Sequence, residues 1–230
     1  MTRHIHTKKS FRCFQLKAMG LVAIFIGPVV LFVTTVTYHF PFPSSISETA
    51  TIANRTDSIL PFCLGALALF SLTYALVHAY DRMDQILLIG MFCGFTVAAL
   101  QMCKSPYIEA PRVGVLGVSK SMSNLLHCVG AFVGFGCMIV WVMLCFTKSD
   151  QTKDTQTKEK KLRDSCYFWL GTIMTLSLFL FACNLIGWIG NDFPVVFVAE
   201  CLILTSGGMA CLIKGGVFFR DKSGFPPPKP

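Results

Sequence analysis

Charge is the scarcest feature of this chain: only 14% of its 230 residues are Asp, Glu, Lys or Arg, against about a quarter in an average soluble domain. Acidic residues are the rarer sign, 12 against 20 Lys and Arg. The deficit falls in six long apolar stretches, so almost no chain is left for a separate soluble domain. Familiar chemical signatures are missing too. The sequence contains no C-x-x-C, H-E-x-x-H, G-x-S-x-G or phosphate-cradling glycine loop, so it carries no signature of a thiol redox enzyme, a zinc peptidase, an α/β hydrolase or a nucleotide-binding domain. A zinc hydrolase normally needs three protein ligands. His39, His78 and His127 do not supply them, because His78 is expected at the opposite membrane face. No cofactor or metal is therefore expected. The 11 cysteines are odd in number and lie almost all within or at the ends of apolar stretches, which reads as packing by a small hydrophobe rather than a disulfide framework.

What is present is hydrophobic length. The chain is 53% hydrophobic with a mean hydropathy of +0.61. A helix rises about 1.5 Å per residue, so about twenty apolar residues cross a hydrocarbon core of about 30 Å. Six such spans fall at 19–38, 59–79, 85–102, 123–146, 166–189 and 193–218. The expected fold is an all-α polytopic membrane protein, a six-transmembrane-helix bundle. Residues 1–18 form a basic N-terminus, 19–218 the six-helix domain with a basic loop at 147–165, and 219–230 a proline-rich tail. The first span is too long for a cleaved signal and lacks an A-x-A-like site, so it reads as an uncleaved anchor.

The net charge of +8 is a topology signal. If the spans alternate, sixteen of the 20 Lys and Arg fall on one side, in the N-terminus, the turn at Arg82, loop 147–165, Lys214 at the end of the sixth span, and the tail. Arg55, Lys104, Arg112 and Lys120 fall on the other. Under the positive-inside rule both termini are cytoplasmic. No nucleic-acid-binding fold carries the charge; the expected partners are membrane lipids, with homo-oligomerisation through small-residue helix faces such as Gly90/Gly94 and Gly130/Gly134 as a further option. Loop 147–165 reads as solvated and partly disordered. Asp57 and Ser58 suit the N-cap of the second span.

Polar groups inside apolar spans cost about 2.5–3.5 kcal/mol when ionisable, so each one needs a reason. Glu200 lies about two turns into the sixth span, and His127 about one turn into the fourth, with Asn124 and Ser123 on the same helix face. Gln101 and Asn184 lie near the external ends of the third and fifth spans. Loop one adds Ser45, Ser47, Glu48, Arg55 and Asp57. All belong to one half of the bundle, the half away from the basic loops, while the other half shows little polarity beyond His78. The candidate ligand-binding set is Ser47, Glu48, Asp57, Asn124, His127, Asn184 and Glu200, an outward-facing polar pocket partly lidded by loop one. The competing reading is a set of interhelical hydrogen bonds that only fix packing. Lys214 is expected to snorkel to the cytoplasmic interface.

Short motifs add a family resemblance. Ser45-Ile46-Ser47-Glu48-Thr49 follows the first span, and Leu126-His127-Cys128-Val129-Gly130-Ala131 opens the fourth. Phe146-Thr147-Lys148 ends the fourth, and Lys214-Gly215 closes the sixth. Over about residues 15–222 the pattern resembles the six-span proteins of domain of unknown function 998 and the related DRAM-type (damage-regulated autophagy modulator) membrane family. The resemblance implies a six-helix membrane fold with cytoplasmic termini, little chemistry, since these families have no established catalytic residues, and a link through the eukaryotic members to lipid and membrane-trafficking regulation. Ser47, Glu48, His127 and Gly130 are the positions that match. The expected function is a non-enzymatic integral membrane protein that binds a lipid headgroup or small amphiphile, for transport, sensing or scaffolding. It would reside in the cell membrane, or in an endomembrane in a eukaryote. An intramembrane lipid hydrolase or transferase using His127 and Glu200 is one alternative, and a proton-coupled transporter with Glu200 as carrier is another.

Overall fold

A chain that crosses hydrocarbon must satisfy its own backbone hydrogen bonds, and helices do so within each segment. The computed structural model describes residues 2–37, 43, 45–47, 59–101, 112–148, 157–189 and 194–219. In it the apolar stretches form α1 (Thr2–Phe32), α2 (Ile59–His78), α3 (Arg82–Leu100), α4 (Lys120–Val140), α5 (Lys158–Leu185) and α6 (Val195–Lys214). Each is long and apolar enough to cross a membrane, and the chain is an all-α integral membrane protein. A two-residue hairpin, β1 (Arg112–Val113) with β2 (Val118–Ser119), is the only sheet among the described residues. Single π-turns extend α1 through Val33–Thr37 and α4 through Trp141–Cys145.

The helices stand in a ring in chain order. The broadest contacts are α2 with α3, α3 with α4, α5 with α6, and α1 with α6, which closes the ring; α1 meets α2 less extensively and α4 meets α5 more loosely. Large apolar side chains such as Phe25, Phe62, Leu76, Phe168 and Phe179 point outward and exposed, as lipid-facing positions do. Two crossings bring backbone against backbone. A Cβ added at Gly94 of α3 would stand 2.7 Å from the Gly130 carbonyl oxygen of α4, and one at Gly208 of α6 would stand 2.6 Å from the Gly20 oxygen of α1. Small-residue faces read from the sequence are thus occupied inside the bundle at these points.

Helix boundaries differ from the hydropathy reading in two places. α1 starts at Thr2 rather than near residue 19, and α5 starts at Lys158, within the stretch expected to be a solvated loop. The cause in α5 is local: the Thr157 hydroxyl caps the Lys160 amide at 3.2 Å, and Lys160 pairs with Asp164 one turn on. An (i, i+4) ion pair and an N-cap are helix-forming signals that low hydrophobicity conceals. Lys160 is buried, its ammonium also reaching the Thr147 carbonyl oxygen at 3.0 Å.

The end of the bundle that carries the α2–α3 turn also holds more polarity than expected. Asp81 caps α3 by accepting from the Asp84 amide at 2.8 Å, and Asp84 accepts in turn from the Tyr80 amide at 2.8 Å. The buried Trp141 indole donates to Asp84. Arg12 donates to the Tyr74 hydroxyl at 2.7 Å, and Gln15 to Thr73 at 3.0 Å. Lys214 is half-buried, donates to the Phe146 carbonyl at 2.7 Å and lies over the Phe146 ring. Asp81 also meets Lys148 at 2.5 Å. The Lys148 ammonium, followed by the Asp84 amide, holds the Asp81 carboxyl below the usual carboxylate range, and that same bond raises Lys148.

Candidate functional site

The helix ends at the opposite pole present unsatisfied backbone groups, and the sequence supplies partners for them. The last carbonyls of a helix lack intrahelical donors. In α3, the Ala98 and Gln101 carbonyl oxygens both face Nδ1 of His127, at 2.8 and 3.0 Å. Carbonyl oxygens only accept, so Nδ1 carries a hydrogen and donates to them. His127 can approach because α3 and α4 cross closely at Gly94 and Gly130, about one turn further in. Ser123, one turn before His127, donates to the Gln101 side-chain oxygen at 3.2 Å.

The imidazole is thereby aimed with Nε2 toward loop one. There Ile46 and Ser47 form a helical turn, both buried. Nε2 lies 2.8 Å from the Ser47 hydroxyl oxygen. On the far side of Ser47 stands Glu200 of α6. Its Oε2 accepts from the Ile46 amide at 2.6 Å, and its Oε1 lies 3.2 Å from the Ser47 hydroxyl. His127 is 6% exposed and Glu200 5%, so neither is hydrated from bulk solvent. Two helices eighty residues and more from loop one in sequence thus meet at Ser47, and α6 also holds the Ile46 amide.

Around this polar strip lies a cavity of about 20 Å³, room for roughly one water molecule. Its remaining wall is apolar: Leu60 and Leu64 of α2, Phe95 of α3, Ala131 and Phe135 of α4, and Leu204 of α6. One end therefore offers a carboxyl, an imidazole and a hydroxyl, and the other offers hydrocarbon.

No known protein family, characterised protein or solved structure matches the chain.

Of the sequence-derived candidates, Ser47, His127 and Glu200 come together. Asn124 is half-buried and Asn184 donates to the Ile189 carbonyl at 3.4 Å; neither lines the cavity. Glu48 and Asp57 lie outside the described residues. Sequence reasoning did not single out the amide of Ile46 or the carbonyls of Ala98 and Gln101, because backbone groups leave no trace in residue type. The available signal was positional: Gln101 ends an apolar span, where carbonyls need a donor. Among the described residues no group of three His, Cys, Asp or Glu side chains is placed to hold a metal ion.

Proposed function

We propose that the protein is a non-enzymatic membrane protein that binds a lipid headgroup or small amphiphile at the Glu200–Ser47–His127 site, with the Ile46–Ser47 turn seated in that site in the structure described. The observation behind this reading is the layout of the cavity, polar at one end and apolar along the rest, which suits a molecule of the same build. The cavity itself has room for little more than water, so the ligand's polar end takes the place of the Ser47 hydroxyl and Ile46 amide. Such a group donates to Glu200 and meets His127, and its tail lies along Leu64, Phe95, Phe135 and Leu204. The positive-inside distribution supports cytoplasmic termini and a site near the external face. The cell membrane, or an endomembrane in a eukaryote, is the proposed location.

Membership of the group formed by domain of unknown function 998 and the DRAM-type proteins belongs to the same proposal. Of its four matching positions, Ser47 and His127 meet directly, and Gly130 makes the helix crossing beneath them.

Native mass spectrometry of detergent-purified protein tests the binding. A discrete lipid adduct on the wild type, lost from the His127→Ala/Glu200→Gln double variant, is expected. No adduct on either, or an adduct equal on both, refutes the site and leaves these groups as helix-packing bonds.

One contact favours a second reading. Ser47 Oγ stands 2.8 Å from an imidazole whose other nitrogen is fixed by carbonyls, the relation of a nucleophile to its base. Against it, Ser47 also faces a carboxyl oxygen. Covalent labelling of Ser47 by a fluorophosphonate, absent in Ser47→Ala, would establish the activated serine that a lipid hydrolase needs; an unlabelled Ser47 removes this reading.

A further inference from the structure

The hydrogen count of the site does not depend on any amphiphile. His127 Nδ1 carries a hydrogen, because both its neighbours are carbonyl oxygens. A neutral imidazole then has a bare Nε2. Ser47 has one hydroxyl hydrogen and two acceptor neighbours, Nε2 at 2.8 Å and Glu200 Oε1 at 3.2 Å. With Glu200 ionised and His127 neutral, one of these two buried contacts sets lone pair against lone pair. One added proton removes the conflict in either of two ways.

We propose that Glu200, Ser47 and His127 form a proton-binding site that holds one proton between the carboxyl and the imidazole, with the Ser47 hydroxyl as the bridge. In one arrangement the Glu200 carboxylic acid donates to Ser47 Oγ, and Ser47 donates to His127 Nε2. In the other, Nε2–H donates to Ser47 Oγ, and Ser47 donates to the Glu200 carboxylate. The two interconvert when the O–H bond of Glu200 breaks as one forms at Ser47 Oγ, and the original Ser47 O–H breaks as an N–H forms at Nε2. Charge moves from a neutral pair to a carboxylate and an imidazolium, and the proton number is unchanged. In both forms Glu200 Oε2 accepts from the Ile46 amide and Nδ1–H serves the α3 carbonyls.

Few other groups compete for this proton. The titratable neighbours that face Glu200 are the thiols of Cys128 on α4 and Cys201 on α6. From α2 and α3 the cavity receives only Leu60, Leu64, Phe95 and Ala98, and α1 approaches through Gly27. No Lys, Arg, Asp or second Glu among the described residues lines it.

A bound proton makes the Ile46–Ser47 turn pH-linked. In the unfolded chain Glu titrates near pH ~4.3 and His near ~6.5, so above about pH 7.5 that state holds no such proton. The folded state then binds one more proton than the unfolded, and folding weakens as pH rises, by up to about tenfold in the equilibrium constant per pH unit. Glu200→Gln keeps a donor toward Ser47 and an acceptor for the Ile46 amide but needs no proton. Equilibrium unfolding of the full chain in mixed micelles, between about pH 7.5 and 8.5, therefore separates the two. The expected result is a slope steeper by one proton in the wild type than in Glu200→Gln; equal slopes overturn the proposal. Spectroscopy of the wild type decides without any variant. At neutral pH either a carboxylic-acid stretch in the infrared or an imidazolium signal for His127 in nitrogen-15 NMR supports the site. A Glu200 carboxylate beside a neutral His127 refutes it.

Discussion

Gly94→Ala is the sharpest test of how the helix crossing builds the site. The new Cβ would meet the Gly130 carbonyl oxygen at 2.7 Å and Gly134 Cα at 2.8 Å, where ordinary contact begins at 3.4 Å. These atoms, and the still closer Gly134 amide nitrogen, belong to the backbone of α4 and cannot rotate away, so α3 and α4 must part by at least about 0.7 Å, and a gap of that size forfeits a quarter to a half of each contact's attraction. Over-packing of this kind costs about 1–3 kcal/mol, offset by up to about 1 kcal/mol from the better helix propensity of alanine. The expected net loss is about 1–2 kcal/mol. Carried to the next turn, the same separation stretches the His127 Nδ1 bond to the Ala98 carbonyl from 2.8 Å to at least about 3.5 Å, the edge of hydrogen bonding. Gly136→Ala is the control, since a Cβ there meets nothing within 4 Å; it should be neutral or slightly stabilising. Thermal melting in nanodiscs reads both. Gly94→Ala melting at or above Gly136→Ala would refute the crossing as described.

Other consequences follow from single contacts. Trp141→Phe removes a buried donor from Asp84 and should cost about 1–3 kcal/mol, read as a lowered melting temperature; an unchanged one would place that indole elsewhere. The depressed Asp81 carboxyl contributes stability above about pH 4 that fades as pH falls through its lowered value, while the raised Lys148 contributes below about pH 10 and fades as pH rises through its own. Asp81→Asn should therefore flatten the acid side of the melting-temperature profile, and high salt should shrink the difference, because the pair is partly exposed. Thr157→Ala strips the cap from α5 and should raise amide hydrogen exchange across 158–161 while leaving the rest of the helix protected; uniform exchange would mean that the cap is idle.

The six helices were legible because hydrocarbon imposes one rule on composition over about twenty residues, and that rule located α2, α3 and α6 to within a few residues. It failed where helix formation rests on something else. The lysine-rich start of α5 is helical through the Thr157 cap and the Lys160–Asp164 pair, and the N-terminal part of α1 lies outside any apolar window. His127 and Glu200 stood out because an ionisable group in an apolar span needs a reason; their meeting through Ser47 depends on a ring of six helices that no spacing rule encodes. Asn124 and Asn184 were drawn into the same set by depth alone, and depth does not say which way a side chain turns. The Asp84–Trp141 contact went unnoticed for the opposite reason: Asp84 sits at a helix start, where an acid is unremarkable until its indole partner is seen.

A double-mutant cycle on Ser47→Ala and Glu200→Ala, read by equilibrium unfolding, addresses the site most directly. Groups in one buried hydrogen-bond network couple by about 0.5–3 kcal/mol, whereas independent sites add to within about 0.3–0.5 kcal/mol. Coupling in the higher range is the predicted result, since each substitution strips the same bridge between α6 and loop one. Simple additivity would mean that Ser47 and Glu200 do not touch, and the site would dissolve into separate helix-packing bonds.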